Sequence, residues 1–353
     1  MMLYITEKEV KHILSENVIK VCQIIEETFL TIHRKEYSLG GQNNASHGIQ
    51  LRYTKDNRHN MFIAMPGYLG EPFNISGIKW HGPLTKVTDS ARDSQYLLVL
   101  NDPNTGIPIS MMSANTITDY RTAAVSLLAA CKIAHPDSKH LGIIGPGKIN
   151  KILTIGLLQK FNNINKIFIK GRGRKSIDSF IETIKNICPD ILCQICNTTD
   201  EVCEESDIVS INTGFCFDKI SDMPIVRSKH VKPNSLYICS AFAHFPDAMI
   251  ENAHKITDLY AMYEEYAREL GYPTYKYLSN LGNRFSDLVK ENKIKKEDIT
   301  DLSSIVYGTR IIPHDGKVKL FSSGGISLCD IAVGRYIMQI AQKSNLGIEL
   351  DYE

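Results

Sequence analysis

A glycine-rich segment near the middle of the chain has residue types that suit phosphate binding. An apolar run at residues 141–144 leads into Gly145, Pro146 and Gly147, and a helical apolar pattern follows at residues 152–158. The first glycine allows a tight turn, the second lets the backbone approach a pyrophosphate, and the helix N-terminus offers free N–H groups. This strand–Gly-x-Gly–helix order favours a dinucleotide site over an ordinary turn.

The last position of the motif departs from the usual Gly-x-Gly-x-x-Gly pattern. Asn150 stands where the third glycine is expected. That glycine mainly serves close helix–strand packing, so its replacement weakens the motif without removing phosphate binding. We therefore predict that Lys148 and Ile149, in the first helical turn, join Gly145, Pro146 and Gly147 in contacting the dinucleotide.

Basic residues follow the second strand of this region, predicted at 166–169. Arg172, Arg174, Lys175 and the Ser176 hydroxyl occur before any acidic residue. An acid at this place would bind the ribose 2′-hydroxyl of NAD, whereas Arg and Lys suit a 2′-phosphate. The sequence therefore favours NADP as cofactor, with NAD as the alternative. The structural alternative is a solvated basic loop that contacts no cofactor.

The cysteines raise the question of a metal site. Cys193 and Cys196 form a CxxC, but residues 191–196 are typical of a strand, in which positions three apart face opposite ways. No second CxxC or histidine pair follows. We therefore interpret them as small buried hydrophobes and predict no metal. Nine cysteines in a long chain also do not suggest a disulfide framework.

Bulk composition limits the classes of partner. The 353 residues suffice for two domains, and 43% apolar with 22% charged residues is ordinary for a globular protein. Forty Lys and Arg against 39 Asp and Glu give a net charge of +1, which creates no global field for nucleic acid or an anionic membrane. The first residues do not resemble a signal peptide, and no run reaches the roughly 18 apolar residues of a membrane span. We expect a cytoplasmic protein with small-molecule partners.

The sequence pattern divides the chain into two regions with different secondary structure, and these elements must position the residues named above. Residues 5–35 have the periodicity of one amphipathic helix, and residues 49–100 are short apolar runs typical of an antiparallel sheet. A turn at 102–106, a return strand at 107–112 and a helix at 118–134 follow. From there strands and helices alternate, which predicts a parallel sheet.

The predicted fold class is α/β: a Rossmann domain plus an α+β domain with a mostly antiparallel sheet. The parallel strands are expected at 141–144, 166–169, 191–196, 208–211, 235–238 and 255–257. A strand at 317–321 and a helix at 327–341 are expected to return to the first domain.

Three stretches carry a family resemblance: SGIKWHG (76–82), VLNDPNTGIPISMMSANTITDYRTAAVS (99–126) and LGIIGPG (141–147). They closely resemble the ornithine cyclodeaminase and mu-crystallin family, and the resemblance runs through essentially the whole chain. Within the family, residues 40–51, 143–151 and 170–180 look most like the branch that is named after tyramine oxidase. The ISGIKW and LNDPNTGIPI segments are also similar to the enzyme that oxidises N-(2-amino-2-carboxyethyl)-glutamate.

The resemblance implies a substrate-binding and dimerisation domain at 1–120, completed by 316–353, and a Rossmann domain at 121–315. It implies a homodimer, and it implies that Arg52, Lys79 and Arg121 surround the carboxylate of a small amino-acid-like substrate. Three converging cations would fix which end of an amino acid faces the cofactor. Lys79, or His81 as the alternative, would handle the proton. The resemblance also implies cofactor contacts, each of which has an ordinary structural alternative: Thr122, Asn212, Thr213 and Gly324.

Two departures from the family bear on the reaction. Ile63 stands where cyclodeaminases have a glutamate, and Ala243 stands where they have an aspartate, which His244 or Asp247 would have to replace. We therefore expect no ornithine cyclodeamination. The sequence instead predicts an NAD(P)-dependent oxidoreductase acting on the C–N bond of an amino or imino acid or an opine-like secondary amine. The alternative is a non-catalytic, NADP-dependent small-ligand-binding protein of the mu-crystallin type.

Overall fold

The chain forms two compact units. The structure is a computed structural model that describes residues 1–15, 17–52, 61–83, 94–213 and 220–352. Unit 1 comprises Met1–Arg121 and Gly325–Glu353, and unit 2 comprises Thr122–Gly324. No helix within these described ranges is long and apolar enough to cross a membrane.

Unit 1 is an α+β unit. Its strands are β1 (Met2–Ile5), β2 (Tyr37–Ser38), β3 (Ile49–Arg52), β4 (Met61–Leu69), β5 (Ile75–Pro83), β6 (Ser94–Asn101), β7 (Pro108–Ser113) and β16 (Ile348–Leu350). Its helices are α1 (Glu7–Leu14), α2 (Val18–His33), α12 (Ser327–Lys343) and the first part of α3 (Asn115–Ile133). The apolar runs of residues 49–100 form the strands expected of them.

The sheet of unit 1 is mostly antiparallel. In the described residues its order is β16-β1-β7-β6-β5-β4-β2, with β3 paired to β4, and only β1–β7 is a parallel pair. Helix α12 packs on one face: a side chain at Gly77 in β5 or Gly67 in β4 would meet Ile331 of that helix. Odd-numbered residues of β5 therefore face α12, because successive side chains in a strand alternate.

Unit 2 is a parallel α/β unit. Its strands are β8 (His140–Ile144), β9 (Lys166–Lys170), β10 (Leu192–Ile195), β11 (Ile208–Ile211), β12 (Leu236–Cys239), β13 (His254–Thr257), β14 (Ile299–Asp301) and β15 (Lys319–Ser322). Its helices, besides the rest of α3, are α4 (Lys148–Lys160), α5 (Arg174–Ile187), α6 (Thr199–Glu205), α7 (Asp247–Asn252), α8 (Tyr260–Leu270), α9 (Thr274–Tyr277), α10 (Leu281–Lys290) and α11 (Leu302–Tyr307).

The strand order of unit 2 defines where a ligand can enter. Over the described residues it is β10-β9-β8-β11-β12-β15-β13-β14, with every pairing parallel. The chain therefore runs outward in both directions from the β8–β11 pair, except that the last strand, β15, returns to lie between β12 and β13. Open parallel sheets bind ligands at the carboxyl ends of the strands beside such a reversal. The α/β fold class with a Rossmann-type sheet is confirmed.

Three elements differ from the sequence-based expectation. The helix expected over 5–35 is two helices: the Ser15 hydroxyl and the Asn17 amide donate to carbonyls of the last turn of α1, at 2.8 and 3.1 Å. Such local hydrogen bonds compete with helix continuation. Helix α3 begins at Asn115 rather than 118: the N–H and the hydroxyl of Thr118 both donate to the Ala114 carbonyl, at 2.9 and 2.8 Å, so Thr118 lies within the helix. The strand near residue 320 pairs with β12 and β13 and lies in unit 2.

Candidate active site

A buried ion pair occupies the centre of the sheet of unit 1. Lys79 lies in β5, opposite Met65 of β4 and Leu98 of β6, and is 2% exposed. Its Nζ donates to Oδ1 of Asp330 in α12 at 2.9 Å. An isolated buried ammonium would be very costly, and this carboxylate is the partner that offsets the cost.

Arg121 completes a three-residue cluster. It lies at the end of the α3 segment that belongs to unit 1, and its Nε is 3.3 Å from the same Asp330 Oδ1. Gly325 packs against the guanidinium: it has φ +82°, and a Cβ there would lie 2.6 Å from Arg121 Nη1. Only glycine fits this backbone conformation without strain and also clears the arginine.

The cluster has more positive than negative charge. Two buried cations share one oxygen of a carboxylate that is fully buried, and Oδ2 of Asp330 has no hydrogen-bond partner among the described residues. Lys79, Arg121 and Asp330 together therefore hold a formal charge of +1. Within the described residues this buried excess charge has no further counter-ion assigned to it, and a substrate carboxylate would supply one.

Burial changes the protonation of the groups in this cluster. Burial lowers the pKa of Lys79 to about 8, against the opposing attraction of Asp330. The Nζ atom also lies 4.7 Å from the centre of the Tyr96 ring, which favours the cation. Burial, with the Lys79 charge nearby, lowers the pKa of His47 to about 3 and that of His81 to about 4. Both imidazoles are neutral at pH 7, while Lys79 exchanges its proton close to that pH.

The structure places the neighbours of this cluster, including the other residues predicted around the substrate, in different environments. The side chain of Arg52 lies outside the described residues, although its backbone is in β3. His81 is on the same face of β5 as Lys79 and stacks on Tyr96 with ring centroids 4.7 Å apart. Trp80 lies on the opposite face, 39% exposed and stacked on Phe62.

The glycine-rich turn of unit 2 has the shape that a dinucleotide requires. Gly145 follows β8 with φ +88°, and a Cβ there would lie 2.3 Å from the carbonyl oxygen of Asn212, which follows β11. The turn therefore sits at the β8–β11 reversal. Gly147 is the N-cap of α4 and gives it no side-chain cap, which leaves the first N–H groups of the helix to a ligand. Nothing lies within 4 Å of a Cβ built at Gly147.

Residues predicted to contact the cofactor lie around this turn. A methyl carbon of Thr213 lies 3.1 Å from the Cβ position of Gly145, and the Thr213 hydroxyl is buried without a hydrogen-bond partner in the described residues. Pro146 packs beside Gly171, at the start of the basic loop. Lys148 and Ile149 form the first turn of α4. The residues of unit 2 therefore fit a dinucleotide at this place.

The basic loop joins the same turn. The Gly145 N–H donates to the Lys170 carbonyl at the end of β9, at 2.9 Å. Arg172, Arg174, Lys175 and Ser176 follow and are exposed. Arg174 pairs with Asp178 at 2.8 Å and the Ser176 hydroxyl donates to the Gly173 carbonyl at 2.8 Å. Arg172 and Lys175 thus extend into solvent next to the phosphate turn.

Thr122 and Gly324 lie at the ends of unit 2, directly beside Arg121 and Gly325 in sequence. Thr122 is buried in α3. A Cβ at Gly324 would lie 2.5 Å from Met262 and 3.1 Å from the Tyr263 hydroxyl, so the segment packs closely. Arg121, which is expected to contact substrate, is thus the sequence neighbour of Thr122, which is expected to contact cofactor.

Asp247 is not available to replace the missing family aspartate. Its carboxylate accepts two hydrogen bonds from Arg284, at 2.9 and 2.6 Å, and one from Lys293 at 3.1 Å. These bonds lower the pKa of Asp247 to about 2. Burial lowers the pKa of His244, against the opposing charge of Asp247. Ala243 itself is buried.

Asp330 is a candidate functional residue that the sequence analysis did not find. The available signal was a lone acid inside the apolar helical run Ser327–Lys343. As for metals, the described residues contain no group of three or more His, Cys, Asp or Glu side chains that could hold an ion.

These features define a two-unit α/β protein, with one Rossmann-type unit and one α+β unit that contains buried cations. The model of the ornithine cyclodeaminase/mu-crystallin family matches residues 10–345, and the chain belongs to this family, as its sequence motifs predicted.

Individual relatives support the same placement. N-((2S)-2-amino-2-carboxyethyl)-L-glutamate dehydrogenase of Staphylococcus aureus is 27% identical over 310 residues, 85% of each chain. The solved Δ(1)-pyrroline-2-carboxylate reductase of Thermococcus litoralis, in complex with NADH and L-proline, has a TM-score of 0.79 at 20% identity, covering 99% of this chain and 100% of that one. An archaeal alanine dehydrogenase dimer with bound NAD has a TM-score of 0.80 at 19% identity, covering 100% and 99%. The solved structures share the fold.

Proposed function

We propose that this chain is an NAD(P)-dependent oxidoreductase that acts on the C–N bond of an amino or imino acid, including opine-like secondary amines. The observation that carries the proposal is the buried charge of +1 formed by Lys79, Arg121 and Asp330. It belongs to a chain whose other unit has a dinucleotide turn. The similar proteins named above include a dehydrogenase of N-((2S)-2-amino-2-carboxyethyl)-L-glutamate, a secondary amine, and a reductase of a cyclic imino acid.

The cations hold the substrate carboxylate. Arg121 Nε bonds Asp330, and we assign its Nη groups to the planar anion, with Lys79 adding a point charge from the sheet. Arg52 is the proposed third cation. A carboxylate bound here neutralises the excess charge and fixes the orientation of the neighbouring C–N bond.

The proposed reaction also requires a group that transfers a proton to or from the substrate nitrogen. A bound nicotinamide supplies or accepts the hydride at the carbon of the C–N bond. Lys79 Nζ, with its pKa near 8, holds or releases a proton near neutral pH. His81, neutral and on the same strand face, is the alternative acceptor.

NADP is the proposed cofactor. The support is the pair of exposed cations, Arg172 and Lys175, next to the phosphate turn. The ribose-binding acid expected of an NAD site is absent from the sequence between Lys170 and Asp178. NAD stays as the alternative, because exposed cations also occur on solvated loops.

Ornithine cyclodeamination is not proposed. Ile63 is 5% exposed and lies opposite His81 in the sheet, where the family's glutamate would bring a carboxylate. Ala243 offers no functional group, and Asp247 is bound to Arg284 and Lys293. A diamino substrate would therefore lack the acids that bind and activate it.

A homodimer is proposed, through the face of the antiparallel sheet opposite α12, which we term the dimer face. Large apolar side chains are exposed there: Ile49 (73%), Leu51 (57%) and Trp80 (39%). Leu51 pairs with Phe62, which stacks on Trp80, so the patch is continuous. Contiguous exposed apolar surface of this kind marks a protein interface.

The first experiment titrates the purified protein with NADPH and NADH by calorimetry and then follows NADPH oxidation with Δ1-pyrroline-2-carboxylate and other imino acids. Turnover that is lost in Lys79→Met, with nucleotide binding retained, supports the oxidoreductase. Nucleotide binding without turnover on any imino acid supports the non-catalytic binding protein. If neither nucleotide binds, both proposals fail.

A further inference from the structure

Asn150 connects the phosphate turn to the neighbouring strand. It is fully buried in the first turn of α4. Its Nδ2 donates to the carbonyl of Gly145 at 2.8 Å, and its Oδ1 accepts from the Ser210 hydroxyl in β11 at 2.6 Å. One side chain thus links the turn after β8 to the strand beside it.

These bonds act on the atom that sets the shape of the turn. The Gly145 carbonyl also accepts the N–H of Gly147, at 2.8 Å, so Asn150 and the turn converge on one oxygen. Gly145 is fixed on its other sides by the Lys170 carbonyl and by its close approach to Asn212. From helix α4, the Asn150 side chain holds Gly145 by its hydrogen bond to the Gly145 carbonyl.

We propose that Asn150 is a positioning residue that holds the phosphate turn in its binding conformation, and that the motif's usual glycine would bind dinucleotide less well here. This inference rests on the proposed function. It reverses the expectation drawn from the motif, in which Asn150 is a weakening substitution. A glycine would leave the buried Ser210 hydroxyl and the Gly145 carbonyl each without one partner, which is costly in a buried place.

The test compares Asn150→Gly and Asn150→Ala with the wild type, using NADPH and 2′-AMP as ligands. NADPH contains the pyrophosphate that the turn binds, whereas 2′-AMP contains only the adenosine and the 2′-phosphate. We expect both variants to bind NADPH about tenfold more weakly and 2′-AMP as the wild type does, because the loss of buried hydrogen bonds affects only the turn.

A milder variant and a matched control keep the test decisive. Ser210→Ala removes the outer bond and leaves Asn150 in place, so a smaller loss of NADPH affinity is expected. Thr154→Val changes another buried polar residue of α4, whose hydroxyl has no partner in the described residues, and should leave NADPH affinity unchanged.

Three outcomes would overturn the inference. NADPH affinity could be equal or higher in Asn150→Gly, it could fall equally for NADPH and 2′-AMP, or Thr154→Val could match Asn150→Ala. Failure of the wild type to bind any nucleotide is different, since it would reject the proposed function itself.

Discussion

Lys79 and Asp330 are 251 positions apart in the chain, yet their charged atoms lie 2.9 Å apart in a fully buried place. Asp330 also contacts Arg121, so one carboxylate holds two cations from two other elements. Removing a shared partner of this kind leaves two buried charges uncompensated.

Asp330→Asn should therefore be strongly destabilising. The cluster changes from +1 to +2, and we expect the free energy of unfolding to fall by about 3–5 kcal/mol, measured by urea denaturation at pH 7. Asp178→Asn is the matched control, because it breaks an exposed pair with Arg174 and should cost at most about 1 kcal/mol. Equal losses in the two variants would contradict the role assigned to Asp330.

Substrate binding should weaken as pH rises through about 8. Lys79 binds a carboxylate only while it is protonated, and its pKa is near 8. We expect the KM for an imino acid to rise about tenfold per pH unit above that value, with the dissociation constant for NADPH unchanged. Lys79→Arg should remove this dependence, because guanidinium stays charged. A KM that is constant up to pH 10 in the wild type would contradict the assignment.

The same group should contribute a pH dependence of stability. The pKa of Lys79 is lower in the folded chain than its ordinary value of 10.5, so the unfolded chain binds more protons between about 8 and 10.5. Stability therefore rises with pH across that window. Lys79→Met should reduce this slope in urea denaturation measured at several pH values. An identical slope in the variant would assign the effect to other groups.

The basic loop should determine the choice of nucleotide. Replacing Arg172 and Lys175 by Ala removes two exposed cations, and we expect NADPH to bind at least about tenfold more weakly with NADH affinity nearly unchanged. Lys185→Ala, at the far end of α5 where its Nζ bonds the Pro189 carbonyl, is the control. Parallel losses for NADPH and NADH would show that the loop does not read the 2′-phosphate.

A charge in the dimer face should prevent dimerisation. Leu51→Asp places a carboxylate on the exposed apolar patch, and we expect a monomer in sedimentation velocity at micromolar concentration. Ile195→Asp, on the edge strand β10 of unit 2, changes another exposed apolar residue and should remain dimeric. A dimer in Leu51→Asp would place the interface elsewhere, and a monomeric wild type would reject dimerisation.

The features that short sequence segments determine by themselves were the ones that could be predicted from the sequence. The strand, Gly145–Gly147 turn and helix α4 are adjacent in sequence, so their spacing alone indicated the turn and its position after a parallel strand. The short apolar runs of residues 49–100 likewise indicated antiparallel strands. The break between α1 and α2 was missed because two side-chain hydrogen bonds ended a helix whose apolar periodicity continued.

Contacts between distant segments could not be predicted in this way. Nothing near Asp330 in sequence indicates that it faces Lys79, since the pairing depends on α12 packing on the central strands of the sheet. The hydrogen bond between Asn150 and Ser210 could not be predicted for the same reason, because the two residues are sixty positions apart. Strand β15 was placed with the wrong domain, since its sequence does not show which strands it pairs with.

Unit 2 is one continuous stretch of chain, whereas unit 1 is made of two stretches that flank it. A ribosome therefore completes unit 2 before it makes α12, and unit 2 can reach its native state first. During that interval the antiparallel sheet lacks its helix, and Lys79 and Arg121 lack their carboxylate. We expect nascent chains at this stage to be the species most prone to aggregate and to bind chaperones.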